Sequence, residues 1–116
     1  MKDNKLLDKE QQFAVEIIMI ASELKAKGQK SISDQIQRSG TSISAKIAEG
    51  NHPQSRADMI AKFEIALKEA NETENWLTVC NNARLLENDR FAIAHKQLIQ
   101  IKMLLISSIR TLKAKA

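Results

Sequence analysis

The side chains in this 116-residue chain that could do chemistry are few: His52, His95, the single cysteine Cys80, and a set of charged residues. The histidines and the cysteine lie far apart and do not show the ligand spacing of a metal site. Cys80 falls on the inner side of its helix, where a cysteine behaves as a small hydrophobe rather than a nucleophile. His52 stands beside Pro53 in a turn and reads as solvated. No glycine-rich phosphate loop is present, and Gly50 alone reads as a helix C-cap. The chain is therefore read as a non-enzyme, with no cofactor and no metal.

One constellation of side chains stands apart from this. Gln35, Arg38, Ser42, Ala45 and Glu49 share a stripe of one helix, beside its apolar stripe. If the next helix runs antiparallel, Arg38 passes near Glu64 to Glu69, and an ion-paired seam that fixes register is the structural reading. The functional reading makes Arg38 and Glu49 the edge of a subunit contact or a ligand groove.

Charge is the other resource. The net charge is +4, and its distribution is uneven. Residues 58–89 hold three basic and seven acidic side chains, while residues 90–116 hold six basic ones and no acid. Lys96, Lys102, Arg110, Lys113 and Lys115 could contact phosphates, whose counterions are released on binding. The competing reading is that Lys113 and Lys115 complement the helix macrodipole, and that Lys96, Lys102 and Arg110 pair with the acidic third helix. On charge alone the second reading is favoured.

The elements that must carry these residues are helices. Three glycines and one proline are too few for the turns of a sandwich or barrel. Phe13, Ile17, Ile20 and Leu24 are spaced 4, 3 and 4, which predicts a helix over residues 7–27 stopped by Gly28. Ile32, Ile36, Ile43 and Ile47 share an arc with Ser39 and Gly40, predicting a second helix over 32–49 that begins at a Ser31 or Ser33 cap. The small residues would let a neighbouring element approach closely. Ser55 and Asp58 form a capping box that opens a third helix over 55–81, with Met59, Phe63, Ala66, Ala70, Thr73 and Leu77 inward. Trp76 sits at the edge of that stripe. Leu85 and Leu86 plug the end of the bundle, and Asp89 caps a fourth helix over 89–113. Short connections force sequential neighbours to pack antiparallel, so the fold class is all-α: an antiparallel up-down four-helix bundle forming one domain over 1–116.

Helix 4 is apolar on more than one side. Phe91, Ala94, Leu98, Ile101, Leu105 and Ile109 form its core stripe, but Ile93 and Leu104 lie opposite, with Ile99, Met103 and Ile106 between. Such a surplus points to self-association. No apolar run reaches the roughly 20 residues that span a bilayer. Residues Met1 to Lys5 have no leader-type apolar region behind them, and Cys80 cannot form an intrachain disulfide. A cytoplasmic location is expected.

The stretch Gln35-Ile36-Gln37-Arg38-Ser39-Gly40-Thr41-Ser42-Ile43-Ser44-Ala45-Lys46-Ile47-Ala48-Glu49-Gly50 resembles the signature helix of the 23S ribosomal RNA intervening-sequence proteins. Arg38, Ser42 and the turn Ile47-Ala48-Glu49-Gly50 carry the resemblance. Ser55, Phe63, Ala66 to Glu72 and Met103-Leu104-Leu105-Ile106 extend it over roughly residues 10–112. Gln37 stands where the family has the first of two arginines, Ser39-Gly40 where it has two alanines, and Lys46 where it has an asparagine. The resemblance implies a four-helix bundle that assembles as a ring-like homopentamer, encoded within ribosomal RNA gene insertions or elsewhere. It also implies kinship with a basic pentameric accessory protein that works with a reverse transcriptase and nucleic acid.

Two functions are thus expected. The first is a non-catalytic homo-oligomer, pentameric by resemblance, that binds structured RNA or a ribonucleoprotein through Lys96, Lys102, Arg110, Lys113 and Lys115. The alternative is a scaffold that recruits a partner protein through apolar helix faces.

Overall fold

The computed structural model describes residues 5–115. Met1 to Asn4, part of the basis for expecting no secretory leader, lie outside the described residues. Four α-helices follow one another: α1 (Lys5–Ala26), α2 (Lys30–Gly50), α3 (Arg56–Asn82) and α4 (Asn88–Ala114). Cross-helix contacts fix their directions, because one residue number falls as the other rises. Ser33 reaches Ala21 and Gly40 meets Ile17 across α1–α2, whereas Ser39 meets Thr73 and Gly50 meets Phe63 across α2–α3. Lys113 pairs with Glu64 and Lys102 with Glu74 across α3–α4; Lys9 meets Gln100 and Glu16 meets Arg90 across α1–α4. Each pair is antiparallel. Among the described residues α1 touches α2 and α4, and α3 touches the same two, so the helices occupy the corners of a square prism measuring 47 × 23 × 22 Å.

The core is the one the stripes foretold. Phe13, Ile17, Ile20 and Leu24 from α1, Ile36, Ile43 and Ile47 from α2, Phe63, Ala66, Ala70 and Leu77 from α3, and Ala94, Leu98, Ile101, Leu105 and Ile109 from α4 are all buried. Leu86 is buried and Leu85 packs on the core, closing one end of the prism. Each fully buried Ile, Leu or Phe contributes about 1.5–3 kcal/mol relative to an exposed one.

The helix ends divide into expected and unexpected. Gly28 has φ +82°, and Gln29 N–H bonds Leu24 O at 2.9 Å, which closes α1 in a Schellman motif. Ser55 accepts from Asp58 N–H at 3.0 Å, while the Asp58 carboxylate reaches back to Gln54 N–H at 3.1 Å, one residue earlier than the usual capping box.

The expected Ser31 or Ser33 cap of α2 is corrected: the N-cap is Gln29, with no side-chain cap, and the Ser33 hydroxyl instead donates 2.6 Å to Ala21 O inside the bundle. Likewise Glu87, not Asp89, takes the N-cap position of α4, and Asp89 lies within the first turn. Gly50 is the last helical residue rather than a left-handed cap. A Cβ there would lie 2.4 Å from Phe63 Cε1, so its role is to make room for that ring. Gly40 does the same for Ile17, whose Cγ2 would be 2.6 Å from an added Cβ.

Candidate nucleic-acid interface

The side of α4 turned from the core carries Lys96, Ile99, Met103, Ile106 and Arg110. Spacings of 3, 4, 3 and 4 put them on one stripe of a 3.6-residue helix. Met103 is 65% exposed and Ile106 40%, so the stripe is an apolar seam with a cation at each end. Among the described residues, Lys96 and Arg110 have no carboxylate partner within ion-pair distance. Beside the seam, Leu67, Ile106 and Ile109 line a shallow apolar groove of about 350 Å³ between α3 and α4, bounded by Glu64, Arg110 and Lys113.

The other predicted phosphate contacts fare differently. Lys102 Nζ lies 2.7 Å from Glu74 Oε1 and is largely covered, and Lys113 Nζ lies 2.9 Å from Glu64 Oε2. Both cations are therefore compensated by the acidic third helix, as the competing reading had it for Lys102. Lys115 is exposed, and its carbonyl accepts a 2.5 Å bond from Arg56 at the start of α3. Arg110, Lys113 and Lys115 thus gather at one end of the prism, while Lys96 sits about 21 Å along the helix from Arg110 at the 1.5 Å rise per residue. Arg56 was absent from the sequence-level set. Antiparallel packing of α3 on α4 was the signal that could have included it.

A second cluster involves His95, which drew no role from its spacing. Glu74 accepts from Lys102 through Oε1 and lies 2.8 Å from His95 Nε2 through Oε2, and the imidazole stacks on Phe91 with centroids 5.2 Å apart. Lys102 first, and His95 after it, hold the Glu74 carboxyl below the ordinary range against the opposing effect of burial. The cluster bolts α3 to α4. Cys80 is wholly buried, and burial pushes its thiol up, away from the thiolate a nucleophile needs.

The signature helix resolves into packing. Arg38 pairs with Glu72 and, at 3.4 Å, with Glu69; Trp76 Nε1 donates to the same Glu72 carboxylate at 3.3 Å. This is the interhelix seam expected of Arg38: Glu69 closes the expected stretch, and Glu72 lies about one turn beyond it. Ser42 donates to Arg38 O in its own helix, and Ile47 is buried. Ala48 and Glu49 are exposed, and Glu49 pairs with Lys46 at 3.2 Å. Arg38 and Glu49 stand about 16 Å apart along α2 and line separate grooves, so they do not form one site. Glu49 and His52 share a groove with Asp58 at the α2–α3 turn, and no group of three metal-binding side chains exists among the described residues.

The comparisons agree with this architecture. The model of the family described as 23S rRNA-intervening sequence protein matches residues 2–107. A solved structure from Bacteroides thetaiotaomicron VPI-5482, described as a protein with unknown function from the S23 ribosomal protein family, superimposes with a TM-score of 0.87. It is 42% identical, and the match covers 90% of this chain and 97% of that one. No curated protein matches. Among the described residues no helix is long and apolar enough to cross a membrane.

Proposed function

The chain belongs to the 23S rRNA-intervening sequence protein family, and on that premise we propose that it is a non-catalytic, cytoplasmic, self-associating helical bundle that binds structured RNA through phosphate contacts. The observation that carries the reading is the outer face of α4. Beyond Asp89 the helix has no acid, and among the described residues Lys96 and Arg110 stand exposed without a carboxylate partner. Between them Ile99, Met103 and Ile106 form an apolar stripe suited to a second copy of the chain, in a homo-oligomer for which the family resemblance suggests five subunits.

The RNA contact is to the backbone. The one tryptophan is half-buried with its N–H engaged by Glu72, Phe13 and Phe63 are buried, and Phe91 is half-buried with a face stacked on His95, so among the described residues no fully exposed aromatic ring is offered for base stacking. A scaffold that recruits a partner protein is the second reading. The apolar groove of Leu67, Ile106 and Ile109 favours it.

Light scattering of the purified protein at two salt concentrations, with and without ribosomal RNA, separates the readings. A multimeric mass that takes up RNA only at low salt is the expected result. A monomer that ignores RNA at any salt refutes both the self-association and the RNA contact. An oligomer that ignores RNA leaves the scaffold.

A further inference from the structure

We infer that the phosphate-binding surface is one end of the prism, not the length of α4; the inference rests on the RNA-binding reading above. Antiparallel packing brings the start of α1, the α2–α3 turn and the close of α4 to the same end. There, among the described residues, Arg56 and Arg110 are exposed with no carboxylate partner, and Lys115 is exposed beside Arg56. At this end Asp58, Glu64 and Glu49 are engaged by Lys62, Lys113 and Lys46, and Glu10 is buried; Asp8, exposed at the start of α1, shares its groove with Lys5 and Lys9.

The opposite end has a different balance. Lys25, Lys30 and Arg84 are exposed there, Lys30 paired with Asp34 at 3.1 Å and Lys96 a little further along α4, but Glu87 and Asp89 are exposed beside them without a cation in ion-pair range among the described residues. A polyanion approaching that end meets repulsion along with attraction. Along the flank, Lys102 is neutralised by Glu74, and Lys96 borders the apolar seam that self-association would cover.

The surface fits a nucleic-acid backbone rather than a membrane. The exposed large apolar residues, from Val15 on α1 to Ile106 on α4, all lie along the helix flanks. None falls in the α2–α3 turn or in the two turns of helix nearest this end, so there is no wedge to enter a lipid layer.

The test compares two triple variants of equal charge change by fluorescence anisotropy with a structured ribosomal RNA fragment over a salt series. One carries Arg56→Gln, Arg110→Gln and Lys115→Gln; the other carries Lys25→Gln, Lys30→Gln and Arg84→Gln. Removing one phosphate-binding cation lowers the slope of log affinity against log salt by about one. The first variant is expected to lose about three units of slope and at least tenfold in affinity, and the second less than one unit. A third variant, Arg56→Lys with Arg110→Lys, keeps the charges and binds as the parent does, which separates charge from any effect on folding. Equal losses in the two Gln variants, or a larger loss in the second, overturn the end-on surface while leaving RNA binding in place. A parent protein that shows no binding at low salt overturns the RNA reading and this inference with it.

Discussion

Glu10 offers a test of how the core tolerates a charge. It is 2% exposed on the inward face of α1, held by the Ser44 hydroxyl, with Oε2 lacking any partner among the described residues. Among the described residues no cation compensates it: neighbouring Lys9 is turned to Gln100, and Lys46 on α2 is turned to Glu49. Burial therefore pushes the Glu10 carboxyl above the ordinary range, with the Ser44 bond opposing only in part. The folded chain holds this proton more tightly than the unfolded chain does. Stability from the group is full below the ordinary carboxylate value and is lost as pH rises through the raised one.

Glu10→Gln keeps the shape and removes the charge. A buried polar group left without a partner costs about 1–3 kcal/mol, and the retained Ser44 bond puts the expected gain at about 1–2 kcal/mol at pH 8. For a chain of this length that is about 4–8 °C in Tm. Thermal or urea unfolding of both proteins between pH 4 and 8 measures it. The advantage of the variant should shrink toward zero as pH falls to the ordinary carboxylate value, because the parent carboxyl is then protonated in both states. A variant less stable than the parent at pH 8, or an advantage independent of pH, would refute the account of an uncompensated buried charge.

Three further outcomes follow from the packing. Gly50→Ala sets a Cβ against the Phe63 ring and should cost about 1–3 kcal/mol by overpacking, read as a lower urea midpoint with unchanged helical circular dichroism. Glu74→Gln should cost about 1.5 kcal/mol at pH 7. Because Lys102 and His95 hold that carboxyl low, its contribution is present above the ordinary carboxylate value and lost as pH falls through the lowered one, so the two proteins should converge in strong acid. Arg84 has φ 61° in the Schellman turn that ends α3, where Leu85 N–H bonds Cys80 O at 2.9 Å. Arg84→Gly should stabilise the fold by about 1 kcal/mol by relieving the left-handed conformation, measured by the same melts.

The chain's own pattern determined the helices and the core. Apolar residues three and four apart, as in Phe13, Ile17, Ile20 and Leu24, mark the buried side of a helix wherever that helix ends up, because the helical period is local. Gly28 and the Ser55–Asp58 cap were readable for the same reason, each being settled within a few residues. What a side chain meets across a seam was not readable, since it depends on axial register and on which corner of the prism each helix takes. Ser33 has the right chemistry for a cap, yet its hydroxyl bonds Ala21 O because α1 lies against it. Gly50 has the right place for a turn glycine, yet Phe63 from the next helix is the reason it must be small. Five of the six cations in the last 27 residues could be read either as one basic surface or as partners of the acidic third helix and the helix dipole. Only the packing of α4 on α3 decided that Glu74 and Glu64 compensate Lys102 and Lys113, and that Arg110 and Lys115 share their end of the bundle with Arg56. A charge is written in the chain, but its field depends on what stands within a few ångströms of it, and only tertiary packing sets that distance.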